Sequence, residues 1–507
     1  MIRHFIFVTG LIFFLPFLIP AQQITYSAYN KEDRDDNNSN YEIIGKMNSN
    51  IIVYKNIKWK HKLVLFDNEM KIKETVDLDF VPEKTLNVDF IAYPDFFYMI
   101  YQYHKNSILY CMGIKMDGNG KKMTEPFQMD TTQLPLFSDN KIYSTICSED
   151  KKKIMVFKIQ KKYEQFNIVT LLFNDQLLLI SKTRQTMPFD ERRDNFGEFL
   201  LDNDGNFIFT LDKQSGLREN SNQLQVVIKK PLLENFIYHE INLDKKYIDE
   251  VKLKIDNLNN RYIINSFYYL KSRGSIEGLF SCSWDKITEK QNPSAFNGFD
   301  NTFRAEAHTD GLLRYTFDNF FIRQVIARKD GGFLLTAEDF TSQADGNNNT
   351  WNRWDYFNNP SSFSSNSYYS YNPYYGYYRP SNTFSNYKST RYYYANILVL
   401  SVGENGQAEW GKVIHKDQND DDNEDFLSFS TMNSGGEIHL LFNMDKKNQV
   451  MADQSISADG TIKRNATLKS QEKGYEFKTR LSKQVGAKQL IVPCDFRGYI
   501  CFAKIDF

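Results

Sequence analysis

The sequence predicts an all-β fold: a single β-propeller of seven or eight four-stranded antiparallel blades, with one long irregular insertion. Three observations predict it. Short apolar runs separated by Asp-Gly, Asn-Gly and Gly-Gly turns recur along the chain. They group into self-similar units of roughly 40 to 60 residues, the spacing of propeller blades. Aromatic residues are abundant, with 31 Tyr and 41 Phe, and such side chains suit pleated, half-buried surfaces. Long helical patterns are scarce. One such unit cannot bury both of its faces, so the units must stack. Two successive propellers or sandwiches are the competing architecture.

The first 21 residues read as a secretory signal peptide. Arg3 and His4 give a basic start. Phe5 to Ile19 is apolar but short of the roughly 20 residues a membrane-spanning helix needs. Pro16 and Pro20 interrupt it, and Ala21 is a small residue at the expected cleavage point. An uncleaved anchor is the alternative. No later run is long enough to cross a bilayer, so no transmembrane segment is expected after signal removal. The expected location is secreted, periplasmic or outer-membrane-associated. The 62 basic and 63 acidic residues give a net charge of −1. That balance supplies no field for nucleic acid, and no nucleic-acid partner is expected.

The propeller is expected over 22–507. Ile51 to Tyr54, Trp59 to Phe66 and Ile72 to Leu78 are the first strands, with Asp67-Asn68-Glu69 as a turn. Val88 to Ala92, Phe96 to Tyr103 and Ile108 to Met116 repeat the pattern. They lead into Asp117-Gly118-Asn119-Gly120, whose glycines permit a tight hairpin, and then Met123 to Met129. Asp204-Gly205, Asp330-Gly331-Gly332, Asn405-Gly406, Ser434-Gly435-Gly436 and Asp459-Gly460 punctuate the rest. The units fall at 41–80, 82–130, 135–186, 195–245, 249–300, 310–416, 424–470 and 476–507. The last has three obvious strands, and 22–29 supplies a fourth that closes the ring. Residues 341–391, rich in Tyr, Asn and Ser, break the rhythm. They read as an insertion within the sixth blade, either a solvated loop or a binding surface. Trp351, Trp354, Tyr374 and Tyr375 are its candidate contact residues.

From Gly278 onward, and most clearly over 313–507, the chain resembles uncharacterised exported β-propeller proteins of Bacteroidota-type bacteria. The carrying residues are LRYTFDNFFIRQVIARKDGGFLLTAEDF from Leu313 and YYYANILVLSVGENGQAEWGKVIHKDQNDDD from Tyr392. The closing GYICFAKIDF is also similar. The resemblance implies fold and export and supplies no catalytic residue.

Chemistry-bearing motifs are few. None of the seven histidines stands at H-x-H or H-E-x-x-H spacing, and neither a G-x-S-x-G elbow nor a Walker-type loop is present. Asp417, Asn419 and Asp421 place oxygens at alternate positions of an acidic segment. They are the candidate calcium ligands, although the EF-hand glycine and glutamate positions hold Asp422 and Ser428. No other cofactor is expected. Lys151 to Lys153 and Lys161-Lys162 read as edge-strand charges. Five cysteines at wide spacing form no disulfide framework. If Arg497-Gly498 is a hairpin tip, however, Cys494 and Cys501 face each other and permit a cross-strand disulfide. Glu338 and Asp339 read as ending an inner strand, where they would be central carboxylates. The expected function is an exported binding scaffold, probing a protein or carbohydrate ligand through the axial mouth or the Tyr-rich insertion. A carbohydrate-active enzyme using central carboxylates and a structural envelope protein are the alternatives. A monomer is expected.

Overall fold

A computed structural model describes residues 22–507 except 32, 35–38, 134–140, 163–164, 191, 217–218, 310, 345–349, 352, 354–389, 422–423, 445–446, 448 and 471–473. The described chain is built of antiparallel strands that meander in sequence order. Eight units result: 39–77, 85–133, 143–188, 194–240, 247–298, 320–421, 429–469, and 475–506 joined by Gln23–Tyr26. The fourth and fifth units share one continuous ladder, but a single residue pair, Ser221 with Ile248, joins them.

Side-chain alternation explains why the units form a ring. Successive residues of a strand point to opposite faces, so a strand between two neighbours must be apolar on both. Asn50–Ile57 is buried along its whole length. Its Ile52 packs with Phe97 and Met99 of the second unit. Its Val53 packs with Ile491 and Phe502 of the eighth. The same logic repeats around the molecule. Tyr98 and Leu109 meet Val156 and Leu171, and Phe157 and Leu172 meet Phe207 and Phe209. Val226 and Ile228 meet Ile264 and Trp284, and Phe267 and Phe299 meet Phe320 and Leu398. Ile397 and Ile414 meet Leu440 and Phe442, and Leu441 and Met451 meet Val492 and Ala503. Eight interfaces joining eight units in cyclic order make an eight-bladed propeller.

The ring closes through the N-terminal segment. Gln23–Tyr26 is the outermost strand of the eighth blade, antiparallel to Tyr499–Asp506 with Tyr26 opposite Ala503. Just before it, the Gln22 amide donates to Asp453 of the seventh blade. Just after it, buried Asp33 accepts from Lys55 at 2.7 Å and Lys62 at 2.6 Å, both in the first blade. This short stretch therefore ties three blades together.

The first strand of each blade lies nearest the axis. The fourth strand of the first blade, Ile72–Asp77, is almost wholly exposed. First strands of neighbouring blades, by contrast, touch each other, as where Thr431 Oγ1 donates to Gln324 Oε1 at 2.8 Å. Because strand direction alternates, all first strands begin on one face. The connections between second and third strands lie on that same face, and so does the insertion. The ladder of the sixth blade runs further than expected. Phe333–Ala344 pairs with Thr390–Val402 out to Ala344 opposite Thr390, so both ends of 341–391 are strand. A short helix, Asn301–Ala307, links the fifth and sixth blades, with Asp300 Oδ1 capping the Phe303 N–H at 2.8 Å. Among the described residues no helix is long and apolar enough to cross a membrane.

Candidate functional site at the axial mouth

On the insertion face, the innermost strand of the fifth blade, Tyr247–Asp256, carries two adjacent acids near its start, Asp249 and Glu250. The sixth blade's innermost strand starts beside them at Phe320. Between them sits a side chain from the insertion. Thr350–Trp351 pairs with Ser342 and Gln343, and two residues later Arg353 is buried to 5% exposure. Its Nη2 donates to Asp249 Oδ1 at 3.0 Å and Glu250 Oε2 at 3.2 Å. Its Nε donates to Asp249 Oδ2 and its Nη1 to the Phe320 carbonyl. The guanidinium lies 4.7 Å from the Phe321 ring centre and 5.2 Å from that of Phe267. Tyr269 donates to Asp249 Oδ2 at 2.6 Å. Burial alone would lower the Arg353 pKa, but Asp249, Tyr269 and Glu250 outweigh it and hold the group charged. A bidentate carboxylate, a backbone acceptor and two ring faces are the partners that suit a planar guanidinium. They fix the root of the insertion to the mouth.

Lys252 Nζ also stands 3.5 Å from Glu250 Oε1. Burial pushes Asp318 up to about 6. It pushes Asp212 up to about 7, against hydrogen bonds from Ser221 Oγ at 2.5 Å and Asn195 Nδ2 at 3.1 Å. Across the axis, Glu42 on Ser39–Met47 is pushed up to about 8, chiefly by burial, with Lys483 opposing the shift and Asp89 adding to it. Its Oε1 is buried and has no hydrogen-bond partner among the described residues. Asp89 accepts from Asn87 Nδ2 at 2.7 Å and lies 3.6 Å from Lys141.

The residues singled out from sequence are placed differently. Glu338 and Asp339 do not end an inner strand; they lie on the second strand of the sixth blade, Phe333–Ala344. Glu338 is 0% exposed. Lys416 Nζ stands 2.8 Å from it, Arg323 Nε 2.9 Å and Ser428 Oγ 2.6 Å. Burial would raise its pKa, yet the Lys416 and Arg323 charges hold it below the usual range. An ionised carboxylate between two cations cannot donate a proton. Asp339 is half-buried, and burial pushes it up to about 6.

Asp417, Asn419 and Asp421 do not wrap around a common centre. Gln418–Asp421 is a strand paired with Arg391 to Tyr394, which spaces alternate side chains by about 7 Å. Asp421 is held by Arg391 at 2.6 and 2.8 Å. Among the described residues no three of His, Cys, Asp or Glu are grouped to hold a metal. Cys494 does face Cys501 across a hairpin whose tip, Arg497-Gly498, has φ of 54° and 83°. Both thiols are free and buried, and Cys501 Sγ donates to the Cys494 carbonyl at 3.4 Å. Trp354, Tyr374, Tyr375 and the Trp351 side chain lie outside the described residues.

Sequence reasoning missed Arg353, Asp249, Glu250 and Glu42. The one available signal was an arginine set between two tryptophans (WNRW from Trp351) in a segment otherwise poor in charge.

No family model matches the chain, and no curated protein does. Among solved structures it is similar to prolyl oligopeptidase B from Galerina marginata, at 8% identity and a TM-score of 0.42 over 92% of this chain and 56% of that one. It is also similar to the β-propeller domain of the Trilobed protease from Pyrococcus furiosus, at 8% identity and a TM-score of 0.35 over 83% and 95%. A third is the polysaccharide lyase Uly1, at 11% identity and a TM-score of 0.36 over 82% and 89%. The chain spans just over half the length of the prolyl oligopeptidase. Likeness at this level concerns strand arrangement and says nothing of substrate.

Proposed function

We propose that this propeller is an exported binding scaffold whose contact surface is the insertion-bearing axial mouth. One observation carries the reading: Arg353 seats the root of the Tyr-, Asn- and Ser-rich segment on the innermost strands of the fifth and sixth blades. Desolvating a guanidinium costs several kcal/mol, and here Asp249 and Glu250 of another blade offset that cost, so the seat is specific to this arginine. The segment's Tyr-, Asn- and Ser-rich composition is one that gives rigid contact area with adaptable hydrogen bonds. Carbohydrate or protein ligands suit it. Export follows from the N-terminal pattern and the resemblance to exported propellers.

The test pairs a glycan array with chromatography of the same glycans. Binding without new products, lost when 354–389 is replaced by a short Gly-Ser linker, is the expected result. Unchanged binding by the shortened protein would refute the reading. Glu42 supports a second reading, a carbohydrate-active enzyme, since a carboxyl near the axis with pKa raised to about 8 is suited to donate a proton. Product formation abolished by Glu42→Gln would establish that reading instead.

A further inference from the structure

The face opposite the insertion is chemically uneven. The connections from third to fourth strand lie there. In the sixth and seventh blades these turns carry Glu404, Asn405 and Gly406, and Asp459 and Gly460, and among the described residues they expose no large hydrophobic side chain. In the third, fourth and fifth blades they carry aliphatic tips. Leu178 is 65% exposed, Leu232 93% and Ile287 76%, and Leu179, Ile180 and Leu233 beside them are exposed too.

The central tip is held out by a buried charge. Lys229 is 3% exposed, and its ammonium donates to the Lys230 carbonyl at 2.8 Å and to the Leu233 carbonyl. Pro231 fixes φ within the same turn. Desolvating an ammonium is costly, and here the ammonium holds a turn that presents two leucines to solvent. The turn is tied to both neighbours. Gln185 Nε2 of the third blade donates to the Glu234 carbonyl, and Lys230 pairs with Glu289 of the fifth at 2.5 Å. The three tips therefore stand side by side as one rim.

The charge around the tips sums to zero. Residues 175–180, 230–236 and 286–290 set Lys230, Lys286 and Lys290 against Asp175, Glu234 and Glu289. Lys286 is matched further by Asp202 at 2.8 Å and Asp204 at 2.7 Å. Such a rim has no net field to draw it to an anionic surface. Its internally paired charges and projecting aliphatic groups complement a zwitterionic headgroup layer over hydrocarbon. A protein partner suits it less well, because leucine is under-represented among the residues that carry binding energy at protein interfaces. Each projecting tip would also need its own socket, whereas a fluid bilayer takes all three without one.

We propose that this rim docks the protein on a lipid bilayer surface, with Leu178, Leu232 and Ile287 entering the acyl boundary of a zwitterionic leaflet. Binding comes from apolar burial rather than from charge. The rim lies on the face away from the insertion and stands whether or not the binding role proposed there is correct.

Flotation with phosphatidylcholine vesicles tests it. The protein is expected to float with the vesicles, with less than about a twofold change between low and high salt, since salt screens only charges. Leu232→Asp with Leu233→Asp, at exposed positions, should lower binding at least about tenfold. Leu270→Asp, at an exposed leucine on the insertion face, should leave it unchanged, and so should replacing 354–389 by a Gly-Ser linker. Failure to float, equal flotation of the double variant, or binding confined to phosphatidylglycerol vesicles at low salt would each overturn the proposal. So would a wild-type dimer in sedimentation that the double variant splits, without vesicle binding, since the rim would then cover a second copy.

Discussion

Two buried charge clusters flank the sixth blade, and they are built on opposite plans. Around Glu338 the cations Lys416 and Arg323 surround one acid, and all three come from the blade's own strands or their immediate continuation. Around Arg353 two acids, Asp249 and Glu250, meet a cation that comes from the insertion, and Lys252 of the same strand stands 3.5 Å from Glu250. The first cluster takes only the Ser428 hydroxyl from beyond the blade, so it stiffens a blade. The second joins the root of the insertion to the axis and leaves further acids, Asp318 and Asp212, with raised pKa. The comparison teaches that a buried carboxylate is not by itself a functional mark; what matters is where its partner comes from.

Substitutions can break this contrast. The largest effect is expected for Glu338→Ala, which strands Lys416 in the interior; urea unfolding should show a loss of about 3–5 kcal/mol. Arg353→Ala should cost less, about 2–3 kcal/mol, because Asp249 keeps the Tyr269 hydrogen bond. Arg353→Lys should recover only part of it, since an ammonium cannot make the bidentate contact.

A smaller, pH-dependent effect belongs to Asp212. Its folded pKa of about 7 lies above its ordinary value of 3.8. Wild-type stability should therefore fall as pH rises from near 4 through 7, where the unfolded chain has already released the proton. Asp212→Asn removes that fall, and its stability relative to wild type should rise by about 1–2 kcal/mol between pH 6 and pH 8. The smallest effect is expected for Asp421→Asn. Its pair with Arg391 is exposed on both sides, and the unfolding midpoint should not move measurably.

The architecture was largely legible in the sequence because turn chemistry is local. Asp117 Oδ1 accepts the N–H groups of Asn119 and Lys121 at 2.9 and 2.8 Å, and Gly120 takes φ of 74°. Each such turn can be read from a handful of neighbouring residues. Closure by 22–29 was also legible, since the last blade visibly lacked a strand. The residues that tie the insertion to the axial mouth were not. Arg353 and Asp249 are 104 residues apart, and no periodicity links an insertion to a strand in another blade. Glu338 misled for the related reason that alternation assigns a side chain to a face but cannot say which cations wait there.

A double-mutant cycle between Arg353→Ala and Asp249→Asn, read by urea unfolding, goes to the root of the matter. A coupling energy of about 2 kcal/mol would show that the insertion is truly held at the axis. Strictly additive losses would mean that the two residues do not meet, and the mouth and the insertion would then be separate surfaces.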